Sequence, residues 1–294
     1  MKPTLTVFTT TYNRAYSLPR GYEALKRQTC KDFKWIVVDD GSTDNTRELV
    51  QGWIEEGLVP IEYYYKPNGG MHTGHSEAYR HIDTELNVCI DSDDYMTDNA
   101  VELIINNWHK YGDNEKYAGM IGLDISHHDG SVIGTQFPEG VTAVRVFDLE
   151  PKYGVVCDKK YVFRTDIIKQ YMPYPEFEGE KFVNLNVPYA LITLQYELLC
   201  FNEPWCVVEY MSDGSTLNIF KQYRRNPQGF AYSKNLVMTS SPYWKDRIKA
   251  AIHYVSCSLF SRKVKISKAS NLPLVVAVYP LGFLLNVYIR FKTR

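Results

Sequence analysis

The chain has 294 residues, 45% hydrophobic and 14% aromatic, enough for a large packed core and too apolar for disorder over most of its length. Its 33 basic residues balance 34 acidic ones at a formal charge of −1, which argues against bulk nucleic-acid binding and leaves only local patches. Six cysteines show neither a C-x-x-C pair nor a zinc-ligand spacing, and they read as free thiols in a reducing compartment.

In chain order, strands are predicted at residues 5–10, 35–39, 61–65 and 88–90, with 119–123 as a fifth. Helical patterns fall between them at 18–28, 43–56, 76–84 and 98–111; in the second, Leu49, Val50, Trp53 and Ile54 recur at helical spacing. Strands alternating with helices imply a mostly parallel sheet covered on both faces. The first apolar run is broken by threonines from position 9, so no signal peptide is read, and the chain reads as cytosolic up to about residue 260.

Beyond residue 125 the pattern changes. "ISHHDGSVIG" reads as a hairpin turning at Asp129-Gly130. Residues 171–190 carry Pro173, Pro175 and the acidic "PEFEGEKF" ahead of an apolar helical stretch, and 216–260 read as helical, basic and aromatic. The tail "LPLVVAVYPLGFLLNVYI", residues 272–289, lies between "RKVKISK" and "RFKTR". Its 18 residues approach the span of a bilayer, but Pro273, Pro280, Gly282 and Asn286 interrupt it. An element lying in the surface of an anionic membrane fits this pattern best; a helix packed back on the protein and a true span are the other readings.

Three predicted strands run into polar sequence at the edge where parallel sheets bind ligands. "CIDSDDYM" sets Asp91, Asp93 and Asp94 beyond a buried strand, where their mutual repulsion calls for a cation such as Mg2+ or Mn2+ bridging to phosphate; the plainer reading is a solvated acidic loop. "VVDDGSTDNT" ends a strand on Asp39 and Asp40. Gly41 and Ser42 or Thr43 account for a turn and helix cap but not for paired aspartates, one of which could accept a base N–H. In "KPNGGMHTGHSEA" the glycines offer backbone N–H groups to phosphate at a helix start, and His72 and His75 lack a third metal ligand. In "TTTYNR", Tyr12 can stack on a base while Thr10 and Asn13 supply hydrogen bonds; the plainer reading is a helix entry.

The succession "TVFTTTYNR", "WIVVDDGSTDNT", "KPNGG" and "CIDSDD" resembles, in order and spacing over residues 4 to about 125, the family 2 glycosyltransferases. The resemblance implies the GT-A fold: a Rossmann-like α/β arrangement with a mostly parallel sheet and flanking helices, here with a helical C-terminal tail. It implies that Thr10, Tyr12 and Asp40, with Asp39 nearby, hold the nucleotide base. Asp91 then contacts the ribose, and Asp93, with Asp94 as substitute, ligates Mn2+ or Mg2+. Ser76 stands about where many relatives have asparagine.

Family members invert the sugar's anomeric carbon, with a carboxylate taking the acceptor's proton. "FEGEKF" offers Glu180 as that base and Glu178 as its rival, with Lys181 where the family's aspartate is expected; loss of the base should abolish transfer and be structurally silent. Residues 207–216, "VVEYMSDGST", resemble the flexible segment that folds over donor phosphates, with Tyr223, Arg224 and Arg225 nearby. The implied organisation is a donor half at 1–125, an acceptor and base half at 126–215 and a basic, apolar tail at 216–294. The implied partners are a UDP-sugar, a glycan or lipid-linked sugar acceptor and an anionic membrane surface, with no nucleic acid. The setting is cytoplasmic, peripheral on the inner face of the cell membrane, in bacterial surface polysaccharide synthesis. A nucleotidyltransferase and a non-catalytic nucleotide-sugar or glycan-binding protein are the alternatives.

Overall fold

A computed structural model describes residues 2–211 and 218–294. Two compact units interleave along the chain: Met1–Pro173 with Pro188–Glu209, and Tyr174–Val187 with Tyr210–Arg294.

The first unit is built on β1 (Leu5–Thr11), α1 (Leu18–Arg27), β2 (Phe33–Asp39), α2 (Thr46–Glu56), β3 (Ile61–Tyr65), α3 (Met71–His81) and β4 (Leu86–Cys89). It continues through β5 (Tyr95–Met96), α4 (Ala100–Tyr111), β6 (Tyr117–Ser126), β7 (Ala143–Val144), α5 (Leu149–Tyr153), β8 (Lys159–Arg164) and α6 (Thr165–Ile168). After α7 (Asn186–Ile192) comes the long β9 (Glu197–Val208). The strands form one sheet in the order β3-β2-β1-β4-β8-β6-β9-β5, with β7 also on β9. Six strands run one way; β5, β7 and β8 run against them.

Every residue of β1 is buried, as its unbroken β-branched and apolar run requires of a strand covered on both faces. One face packs under α1, α2 and α4, where Tyr22, Trp53 and Trp35 stack with ring centroids 4.4 and 5.9 Å apart. The other face packs under α3 through Phe8, Ile36, Ala78 and Tyr79. The register Thr11↔Asp39↔Tyr65 and Phe8↔Cys89 brings the ends of β1, β2, β3 and β4 to one edge.

All five predicted strands, the fifth within β6, and the hairpin at Asp129-Gly130 are present; Gly130 N–H donates to the Ser126 carbonyl at 2.9 Å. Helix α3 starts at Met71, five residues before its prediction, because His72 and His75 sit on its buried face instead of in a loop.

In the second unit, α8 (Ile219–Arg225), α9 (Pro227–Ser240), α10 (Trp244–Phe260), α11 (Leu272–Ala277) and α12 (Tyr279–Lys292) pack around Tyr223, Phe230, Tyr254, Val255 and Ile289. A Cβ on Gly282 would lie 2.4 Å from that of Val255, so glycine permits the close crossing of α12 on α10. The apolar tail is therefore two short helices, each packed along one face. No helix among the described residues is long and apolar enough to cross a membrane.

Candidate active site

Four turns meet at the edge where β1, β2, β3 and β4 end. Beyond β1, Asn13 takes a left-handed conformation (φ 54°), which asparagine tolerates, and ties the first turn to the second. Its N–H donates to Ser42 Oγ at 2.9 Å and its Oδ1 accepts from Thr43 N–H at 2.7 Å. Thr10 is buried beneath Gly74 of α3, where a Cβ would come within 2.9 Å of its methyl group. Tyr12, by contrast, is 48% exposed, an aromatic ring presented at the rim.

The two aspartates of the second turn are buried and engaged. Asp39 accepts from Ser42 N–H (2.7 Å) and from the Tyr63 hydroxyl (2.6 Å); burial and this carboxylate push the phenol's pKa up. Asp40 accepts from Lys66 Nζ (2.6 Å), Gly69 N–H (2.9 Å), Gly70 N–H (2.7 Å) and Asn68 Nδ2 (3.1 Å). The glycine loop was expected to offer its N–H groups to a phosphate. Instead, the anion at the start of α3 is the protein's own Asp40, which satisfies donors a helix start leaves open.

The fourth turn, after β4, separates its carboxylates. Asp91 and Asp93 are half-buried at the end of β4, with the Asp93 carbonyl held by Arg20 Nη2 at 3.1 Å. Arg20 also pairs with Glu209. Asp94 turns inward: Lys160 Nζ on β8 lies 3.8 Å from one oxygen, and Glu209 N–H donates to the other at 3.3 Å. Burial pushes the Asp94 carboxyl up, Lys160 opposes this, and Asp91 and Asp93 add to it. Burial also raises Asp124, to about 6, and its Oδ1 has no hydrogen-bond partner among the described residues. Burial works to discharge Lys160, but Cys206 and the three carboxylates Asp124, Asp94 and Asp91 outweigh it and raise its pKa. Lys160 thus forms a cationic floor beneath the acidic turn. Its local sequence, "DKKYVFR", carries no sign of this, since its partners are distant in the chain.

Among the described residues no group of three or more His, Cys, Asp or Glu side chains is arranged to hold a metal ion. Asp91 and Asp93 are half-buried carboxylates, the hard oxygen-donor type that Mn2+ or Mg2+ takes. His72 and His75 do not enter the site. Both are buried; burial, then His72, lowers the His75 pKa to about 3, and its ring meets Phe8 edge-on. All six cysteines are free.

The second unit carries the other two acidic candidates. Glu180 sits at the start of α9, where Oε1 accepts from Gln228 N–H (2.9 Å) and Nε2 (3.1 Å) and Oε2 accepts from Gly229 N–H (2.9 Å). It caps the helix, so its removal is not structurally silent as expected. Glu178 is exposed and pairs with Lys263 at 3.2 Å. Tyr223 is buried against Phe230, and Arg224 donates to the Thr293 carbonyl at 3.0 Å. Half of the segment that the resemblance implies folds over donor phosphates, residues 212–216, lies outside the described residues.

The architecture is that of solved GT-A glycosyltransferases. S. aureus TarS, solved with UDP-GlcNAc, aligns with a TM-score of 0.59 at 14% identity, over 98% of this chain and 92% of that one. A mannosyltransferase from Pyrobaculum calidifontis, solved with GDP-Man and Mn2+, aligns at 0.57 and 16% identity, over 100% and 83% of the two chains. Residues 6–171 match the family described as glycosyl transferase family 2, and the chain belongs to that family. A Campylobacter jejuni relative, GalNAc(5)-diNAcBac-PP-undecaprenol beta-1,3-glucosyltransferase, is 29% identical over 136 residues. That match spans 44% of this chain and 41% of the relative's length.

Proposed function

We propose that this chain is an inverting glycosyltransferase that moves a sugar from a UDP-sugar to a glycan or polyprenyl-linked acceptor, on the cytoplasmic side of the membrane, in bacterial surface polysaccharide synthesis. The observation that carries the reading is the convergence of exposed Tyr12, the Asn13-pinned turns and the half-buried Asp91 and Asp93 on one sheet edge. The UDP-GlcNAc bound by the TarS relative and the undecaprenol-linked substrate in the Campylobacter name favour this donor and acceptor.

The Tyr12 ring stacks on the base. Asp39 and Asp40, with Thr10 and Asn13, shape its pocket chiefly by holding the surrounding loops. Asp91 takes the ribose, and Asp93, with Asp94 behind it, would hold the cation that orients the diphosphate. Mn2+ or Mg2+ on these carboxylates would offset the charge of the departing nucleoside diphosphate. Arg20 keeps the acidic turn in place through the Asp93 carbonyl. Glu180 is the proposed base: Oε2 has one donor in place and keeps acceptor capacity for the acceptor hydroxyl's proton. Exposed Glu178, paired with Lys263, is the weaker choice. The capping role of Glu180 favours one second reading, a nucleotide-sugar-binding protein without catalysis.

The test is calorimetric binding of UDP, GDP and CDP, with Mn2+ and again with EDTA, to wild type and Asp93→Ala. UDP binding that needs both the metal and Asp93 is expected. Absence of nucleotide binding under every condition would overturn the reading.

A further inference from the structure

The outward face of the last two helices inverts the usual order of a surface helix. On α12 the polar Asn286 is buried, its Nδ2 donating to the Ser256 carbonyl at 3.0 Å, while the side facing water is apolar. Val276, Leu281, Phe283, Leu284, Val287 and Phe291 are all exposed, with Leu284 at 62% and Phe291 at 69%. Scattered exposed apolar residues are ordinary; a continuous stripe along two consecutive helices marks a contact surface.

Charge says what kind of surface it meets. The helical unit has 15 Lys and Arg against 5 Asp and Glu, a net of +10, whereas the sheet unit has 18 against 29, a net of −11. From Arg247 to the C-terminal residue of the sequence there are nine basic residues and no acidic one. Several gather at one end of the apolar stripe. Arg290 stacks over Phe260 at 4.8 Å and donates to the Leu259 carbonyl at 2.9 Å, which brings the end of α12 beside the end of α10 and Arg262. Lys292 and Arg294 follow, and Arg224 reaches the same end through Thr293.

We propose that this face docks in the plane of an anionic lipid bilayer, with the apolar stripe at the acyl boundary and Arg262, Lys292 and Arg294 on headgroup phosphates. The pattern is that of an interfacial helix: apolar on the membrane side, basic at its end and too short to span. A second copy is a poorer occupant, because it would bring two helical units of net charge +10 face to face. The proposal deepens the membrane-side placement above and rests on it for the lipid-linked acceptor, but its test needs no donor.

The full chain is sedimented with vesicles of phosphatidylcholine alone and of phosphatidylcholine mixed with phosphatidylglycerol, at low and high salt. Binding to the mixed vesicles should be at least about tenfold tighter and weaken with salt. Phe283→Ser/Leu284→Ser should abolish it, and Arg262→Glu/Lys292→Glu/Arg294→Glu should remove the anionic preference. Both variants should keep wild-type circular dichroism and UDP affinity, so that failure here is distinct from failure of the donor site. Equal binding to both vesicles, no binding to either, or an oligomer that Phe283→Ser/Leu284→Ser dissociates would overturn the proposal.

Discussion

Replacing Asp40 by alanine should destabilise the protein by about 3 kcal/mol, far more than a solvent-facing substrate ligand would. The carboxylate is 4% exposed and receives four donors, two of them the N–H groups of Gly69 and Gly70. Hydrogen bonds to charged groups contribute about 1.5–3 kcal/mol each, and stripping a buried cation of its partner costs about 3–5 kcal/mol. The low end applies here because Lys66, 19% exposed, keeps the Thr73 hydroxyl and the Pro67 carbonyl, each at 2.7 Å. With a total stability of about 5–15 kcal/mol, the urea midpoint should fall by about 1 M. Asp40→Asn should fall between, since its amide must turn one N–H toward another donor. UDP affinity should drop with stability, through disorder of the glycine loop. An Asp40→Ala stability within about 0.5 kcal/mol of wild type, with nucleotide affinity lost, would refute the loop-holding role and make Asp40 a direct ligand only.

Four further outcomes follow from the same geometry. Tyr12→Ala should weaken UDP binding about 5- to 150-fold, the worth of one base–aromatic stack, while leaving the unfolding midpoint unchanged, as calorimetry and urea titration would show. Lys160→Met should cost about 3–5 kcal/mol by stranding Asp94 and Asp124, and adding Asp94→Asn should recover part of it in the same titration. Asp124, raised to about 6 by burial, binds its proton more tightly folded than unfolded. Its contribution to stability is therefore full below about pH 4 and lost as pH rises through about 6, and Asp124→Asn should remove that slope from melting curves. Glu180→Ala should cost about 1 kcal/mol as a lost cap and abolish sugar transfer at unchanged UDP affinity; full transfer activity would exclude it as the base.

The sequence by itself determined the alternation of strands and helices, the three polar corners and their common edge, because each is written in contiguous residues. Buried β-branched runs mark β1 and β2, and the acidic and threonine-rich corners follow them directly. It did not reveal β8 or β9, whose places in the sheet depend on pairing with strands far away in the chain. Helix α3 begins before its predicted start because a run with three glycines and two histidines lacks apolar periodicity, although tertiary packing buries one side of it. Only the tertiary structure decided which carboxylates face the edge and which turn inward. Asp40 meets a loop 26–30 residues on, Asp94 meets Lys160, and Glu180 meets the start of α9 48 residues later. Such partnerships depend on which donors a fold brings close and how much water it excludes, and neither quantity is local to the chain.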